Sequence, residues 1–103
     1  PSDDAMVSPA AVAALGNAYA AVGQVDKAVS KLKDAASKAD SKANNGTNNS
    51  LSPTFLLQAG ELLESQGKTD EALKVYQDIK KKYVNSVLVQ SNEIDKYIER
   101  TTK

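Results

Sequence analysis

Apolar side chains return at steps of three and four along most of this chain. Leu56, Ala59, Gly60 and Leu63 form one such series, and Ala72, Leu73, Tyr76 and Ile79 form the next. A half-buried strand would need strict alternation, so both series predict amphipathic helices. Polar and turn-forming marks separate them: Ser8-Pro9, Gly23, the run Asn44 to Ser50, Ser52-Pro53, Gly67 and Asn85-Ser86. Ser before Pro predicts a helix opening. The Ser oxygen can accept from the orphan N–H groups of the first turn, and Pro has no N–H left unsatisfied there. The reading is all-α, with helices near 9–22, 25–43, 53–66, 69–83 and 87–100.

The same skeleton occurs twice, with Pro9 and Pro53 setting a register of 44 residues. The first copy reads Val12, Leu15-Gly16, Tyr19, Gly23, Ala28, Leu32, and the second Leu56, Ala59-Gly60, Leu63, Gly67, Ala72, Tyr76. Each position has a physical reason. Gly16 and Gly60 are expected where paired helices press closest, with Ala28 and Ala72 opposite them. Gly23 and Gly67 permit the positive φ that turns the chain back after the first helix. One helix pair cannot bury its own apolar face, so a second copy stacked on the first makes a core that neither has alone.

This pattern resembles the tetratricopeptide repeat, a helix-turn-helix unit of about 34 residues. The resemblance implies two units, 9–42 and 53–86, joined by an Asn-rich loop at 43–52 and closed by a capping helix at 87–103, with 1–8 as the tail of a preceding repeat. The cap should bury Val87, Gln90, Ile94, Tyr97, Ile98 and Thr101. The proline that usually follows the second helix is replaced by Asp40 and by Val84. A spacing of 44 also suits Sel1-like repeats, but Asp26-Lys27-Ala28 and Thr69-Asp70-Glu71-Ala72 favour the tetratricopeptide unit. The closing run Glu93 to Arg100 resembles the C-terminus of envelope tetratricopeptide proteins from Bacteroidetes, whose repeats typically follow an N-terminal membrane anchor. That likeness implies a bacterial envelope location, and Pro1 with an internal Met6 fits a chain cut from a larger product.

Charge narrows the partners. Thirteen Lys and Arg balance thirteen Asp and Glu, so no global field gathers nucleic acid. The chain has neither Cys nor His, which removes thiolate nucleophiles, zinc-thiolate sites and the commonest general base, and no cofactor is called for. No apolar run approaches the roughly 18–20 residues that cross a bilayer, so direct membrane insertion is not expected.

Several local signals have ordinary readings. Asn45-Gly46-Thr47 and Asn48-Asn49-Ser50 fit a glycosylation pattern but read as loop chemistry, and the loop is expected to tolerate Asn48→Leu. Asp40 to Leu51 lacks the Gly and the closing Glu of a calcium loop. Lys80-Lys81-Lys82 suits the last turn of a helix, whose dipole favours cations. Glu61 and Glu64 read as a solvated face, not a catalytic pair.

The resemblance implies a protein or peptide partner in a groove lined by the first helices. The lining expected is Ala10, Ala13, Asn17 and Ala20 in copy one, and Thr54, Leu57, Glu61 and Glu64 in copy two. Chaperone-tail binders of this family grip a carboxylate with Lys, Arg and Asn at such spacings. This chain keeps only Asn17, with Ala13 where a Lys would be needed, so basic or neutral apolar segments are expected instead. The alternative is a structural module that packs on its own upstream repeats, with weak self-association through Met6, Ala11 and Val12.

Overall fold

The computed structural model describes residues 7–102. Among them are six helices and no strand: α1 Pro9–Ala21, α2 Val25–Lys42, α3 Ser52–Ser65, α4 Thr69–Lys82, α5 Val87–Gln90 and α6 Glu93–Thr102. Successive helices pack on one another, α1 on α2, α2 on α3 and α3 on α4, and α6 then closes against α4. The result is a slab of 46 × 34 × 16 Å.

Both helix pairs turn by the same device. Gly23 and Gly67 adopt φ of +83° and +75°. In each pair the next residue donates back five positions, Gln24 N–H to the Tyr19 carbonyl and Lys68 N–H to the Leu63 carbonyl, both at 2.9 Å. These bonds satisfy carbonyls that a helix end would otherwise leave bare.

The close approaches differ between the copies. A Cβ on Gly16 would sit 3.2 Å from the Ala28 carbonyl oxygen, so here small does meet small. A Cβ on Gly60 would instead enter the Tyr76 ring, 2.9 Å from its Cζ. Gly60 is therefore small to admit an aromatic. Ala28, Ala72 and Tyr76 are all fully buried, in a core that runs through Leu32, Ala35, Phe55, Ala59, Leu63, Ile79, Tyr83 and Ile94.

The Ser-Pro openings also diverge. Ser8 caps α1 as expected, accepting from Ala11 N–H at 3.1 Å. Ser52 does not cap α3: it is the first helical residue, and its hydroxyl points inward, 2.7 Å from Asp40 Oδ1 and 2.9 Å from the Ala36 carbonyl. Asn48 takes over at the helix entrance, its Oδ1 accepting from Ser50 N–H at 3.0 Å and Leu51 N–H at 2.8 Å. The loop is thus folded around Asn48, contrary to the passive connection expected.

Asp40 is the centre of this arrangement. It is 7% exposed. Oδ1 accepts from Asn48 N–H at 2.9 Å, and Oδ2 from the Tyr83 hydroxyl at 2.6 Å and Lys82 Nζ at 3.0 Å. One carboxylate therefore joins α2, the loop, the start of α3 and the end of α4. Burial alone would raise its pKa, but the bonds from Asn48, Tyr83, Ser52 and Lys82 outweigh it and hold the pKa below the ordinary value. Burial, then the Asp40 carboxylate, push the Tyr83 phenol up.

The single C-terminal helix expected over 87–100 is two. Ser86 caps a short α5, and Asn92 at φ 63° breaks the run before α6. Asn tolerates this left-handed conformation better than most residues. The break rotates the buried face, so Val87 is 79% exposed and Gln90 is exposed too, while Leu88 and Val89 pack on the core instead. Ile94 and Thr101 are buried as expected.

Candidate functional site

The first helices, α1 and α3, carry the eight residues expected to line a groove. On α1, Ala10 and Asn17 are exposed and Ala20 is half-buried. Ala13 is not available: it is 5% exposed, inside the core with Val12 and Phe55. On α3, Thr54 and Glu61 are exposed and Leu57 is half-buried.

Glu64 has a different role from a free acidic wall. Arg100 of α6 grips it with two groups, Nη2 at 2.7 Å from Oε1 and Nε at 3.1 Å from Oε2. The Tyr76 hydroxyl donates to the same Oε1. The Arg100 bonds, against the cost of burial, hold the Glu64 carboxyl below its ordinary pKa. Burial and then Glu64 push the Tyr76 phenol up. Arg100 also lies over the Tyr97 ring at 4.5 Å, and Tyr97 meets Tyr76 with centroids 5.2 Å apart and planes tilted by 54°. Glu64 is consequently a fastening for α6, its charge already balanced.

Two further acids, Glu61 and Glu93, lie on the same two helices. Burial raises the pKa of the half-buried Tyr97, and the carboxylates of Glu61 on α3 and Glu93 on α6 raise it further. Tyr97 and Glu93 line one shallow hollow together with Ser91, Lys96 and Arg100, and Glu61 is exposed on α3. Leu57 lies one helical turn from Glu61. Tyr97 and Glu93 escaped the expected lining because α6 was read as a cap alone. Tyr97 does lie on the packed side of the cap as its spacing predicts, half-buried against the core.

Beyond α3 and α6, α1 offers a bland surface. It has no charged residue, and Ala10, Ala11, Ala14, Leu15 and Ala18 are exposed, Leu15 at 45%. Val12, expected to contribute to an open edge, is buried at 7%, and Met6 lies outside the described residues. No group of three or more acidic residues that could hold a metal ion occurs among the described residues. Nor is any described helix long and apolar enough to cross a membrane.

Two family models match the chain, one over residues 11–44 and one over 55–86, and both are described as Tetratricopeptide repeat. Their starts fall 44 residues apart, the register of the two glycine-marked helix pairs. No curated protein and no solved structure matches the chain. With both helix pairs matched, the chain belongs to the tetratricopeptide repeat family.

Proposed function

We propose that this chain is a protein-binding scaffold whose docking face is the row formed by α1, α3 and α6. Repeats of this family generally mediate protein–protein interaction. The observation that carries the finer reading is the surface where α6 meets α3: Tyr97 and Glu93 line one hollow beside Lys96 and Arg100, and on α3 lie the exposed Glu61 and, one turn away, the half-buried Leu57. Such a patch suits a basic or neutral apolar segment, with aliphatic groups on Leu57 and Tyr97 and cations toward the two carboxylates. It opposes an acidic C-terminus, because α1 offers Asn17 but no cation to grip a carboxylate. The likeness of Glu93 to Arg100 to Bacteroidetes envelope proteins supports a place in a longer envelope-associated protein.

A second reading has its own observation, the uncharged outer face of α1. In that reading the module packs on a neighbouring repeat or on a second copy and needs no separate peptide ligand.

Isothermal titration separates the two. A basic amphipathic peptide should bind more tightly than an acidic-tailed one, weakly and with strong salt dependence. Glu61→Lys should reduce or invert that order. Binding of neither peptide, with association of the chain that rises with its concentration, would favour the structural module. Glu64→Lys is not a clean probe, since it would also release α6.

A further inference from the structure

The second helices, α2 and α4, are tied together at both ends. Lys68, just before α4, lies 3.1 Å from Asp26 Oδ1, and Lys82 lies 3.0 Å from Asp40 Oδ2. The ties recur at the same interval along each helix, so α2 and α4 run parallel and in register. At 1.5 Å per residue that interval spans about 20 Å. Between the ties lies a cleft of about 920 Å³. Its apolar floor is Ala36, Leu56 and Val75. None of the residues assigned to the α1–α3–α6 face lines it.

The cleft is lined by four lysines, Lys33, Lys74, Lys81 and Lys82, against Asp40, Glu71 and Asp78. Together α2 and α4 carry nine Lys against six acids, whereas α1, α3, α5 and α6 carry five acids against Lys96 and Arg100. Within the cleft Asp40 is already engaged by Tyr83, Asn48, Ser52 and Lys82. Glu71 and Asp78 are the remaining acids of the walls, against Lys33, Lys74 and Lys81, none of which is in an ion pair among the described residues. The helix dipole favours a cation at Lys81, in the last turn of α4, but it does not reach Lys33 or Lys74 in the middle of their helices.

We propose that this cleft is a second docking site, which takes an acidic amphipathic helix from a protein partner. Leucine-like side chains rest on Leu56 and Val75, and carboxylates on the flanks meet Lys33, Lys74 and Lys81. Two parallel walls over an apolar floor match the helix-in-groove mode of recognition. The acids within the walls disfavour a uniform polyanion, and the concave shape disfavours a flat lipid surface.

The test is a titration of the isotope-labelled chain with a synthetic helix of about fourteen residues, matched to the span between the ties, with leucines on one face and glutamates beside them. The expected result is a shift of the Leu56 and Val75 methyl resonances. Lys33→Glu with Lys74→Glu should weaken binding about tenfold or more, and the corresponding Gln pair should weaken it less. Circular dichroism checks that each variant stays helical. The proposal is overturned if those methyls do not move, if a scrambled peptide of the same composition binds equally, or if neither Lys pair alters affinity. It is also overturned if phosphatidylglycerol vesicles bind with the same Lys dependence while the peptide does not. Failure here leaves the reading of the α1–α3–α6 face standing, because Glu61 does not line the cleft.

Discussion

The Tyr83 hydroxyl donates to Asp40 Oδ2 at 2.6 Å, joining the end of the second repeat to the end of the first repeat's second helix. Both side chains are almost fully buried, Tyr83 at 2% and Asp40 at 7% exposure. Asp40 stands where the family usually has a proline, so a residue that merely stops a helix elsewhere here bonds one repeat to the next. Asp40→Ala would strand the buried Tyr83 hydroxyl and the part-buried Asn48 N–H, while Ser52 keeps the Ala36 carbonyl, and should destabilise the chain by about 2–4 kcal/mol in urea melts. Tyr83→Phe should cost about 1–2 kcal/mol. The double variant should cost less than the sum of the two, since they share one bond.

The same carboxylate makes stability depend on acid. Asp40 and Glu64 both have folded-state pKa values below their ordinary ones, Asp40 through the bonds that outweigh its burial and Glu64 chiefly through Arg100. The unfolded chain therefore binds protons first as pH falls. The stabilisation is fully present above about pH 5 and is lost as pH drops through about 4 and below. Urea melts across that range should show the decline, and Asp40→Asn should lower the plateau and flatten the slope. An unchanged slope in Asp40→Asn would remove Asp40 from the account.

The Asn-rich loop is expected to be unequal along its length. Asn48 supplies an N–H to Asp40 and an oxygen to two backbone donors at the entrance of α3. Asn48→Leu should cost about 1–2 kcal/mol, as loss of a helix cap does. Asn44→Leu, at an exposed position, should lie within about 0.5 kcal/mol of the parent. Thermal melts of the two variants read the difference directly.

Equivalent glycines should respond differently to alanine. Gly60→Ala drives a methyl into the Tyr76 ring, which is fully buried and held by Glu64 and Tyr97, and should cost about 1–3 kcal/mol. Gly16→Ala meets the Ala28 carbonyl oxygen and Leu32 Cγ at 3.2 Å. Its gain in helix propensity, about 0.5–1 kcal/mol, should roughly offset that crowding. Equal losses at the two sites would show that the helix pairs are packed alike.

Local features of this fold were legible before its coordinates. Gly23 and Gly67 follow amphipathic helices at the same point in each copy, and a positive φ is a property of one residue, so both turns could be read directly. The long-range polar bonds could not. Asp40 and Tyr83 are 43 residues apart, and Glu64 and Arg100 are 36 apart. No periodicity marks which acid meets which partner, so Glu64 passed for a groove residue. Ala13 failed for a related reason: a small apolar residue suits a bland surface and a tight core equally, and packing decided for the core. Asn92 shows the limit of helical periodicity, since one residue at positive φ separates α5 from α6 and leaves Val87 and Gln90 off the buried face.

The central functional claim is that a protein partner docks on the surface where α6 meets α3. The most direct measurement is the nuclear magnetic resonance footprint of a basic amphipathic peptide on the isotope-labelled chain. Shifts should centre on the Leu57 methyls and the Tyr97 ring, with Glu61 and Glu93 amides beside them, and should vanish in Glu61→Lys. A footprint confined to the outer face of α1, or one that Glu61→Lys leaves intact, would contradict the assignment.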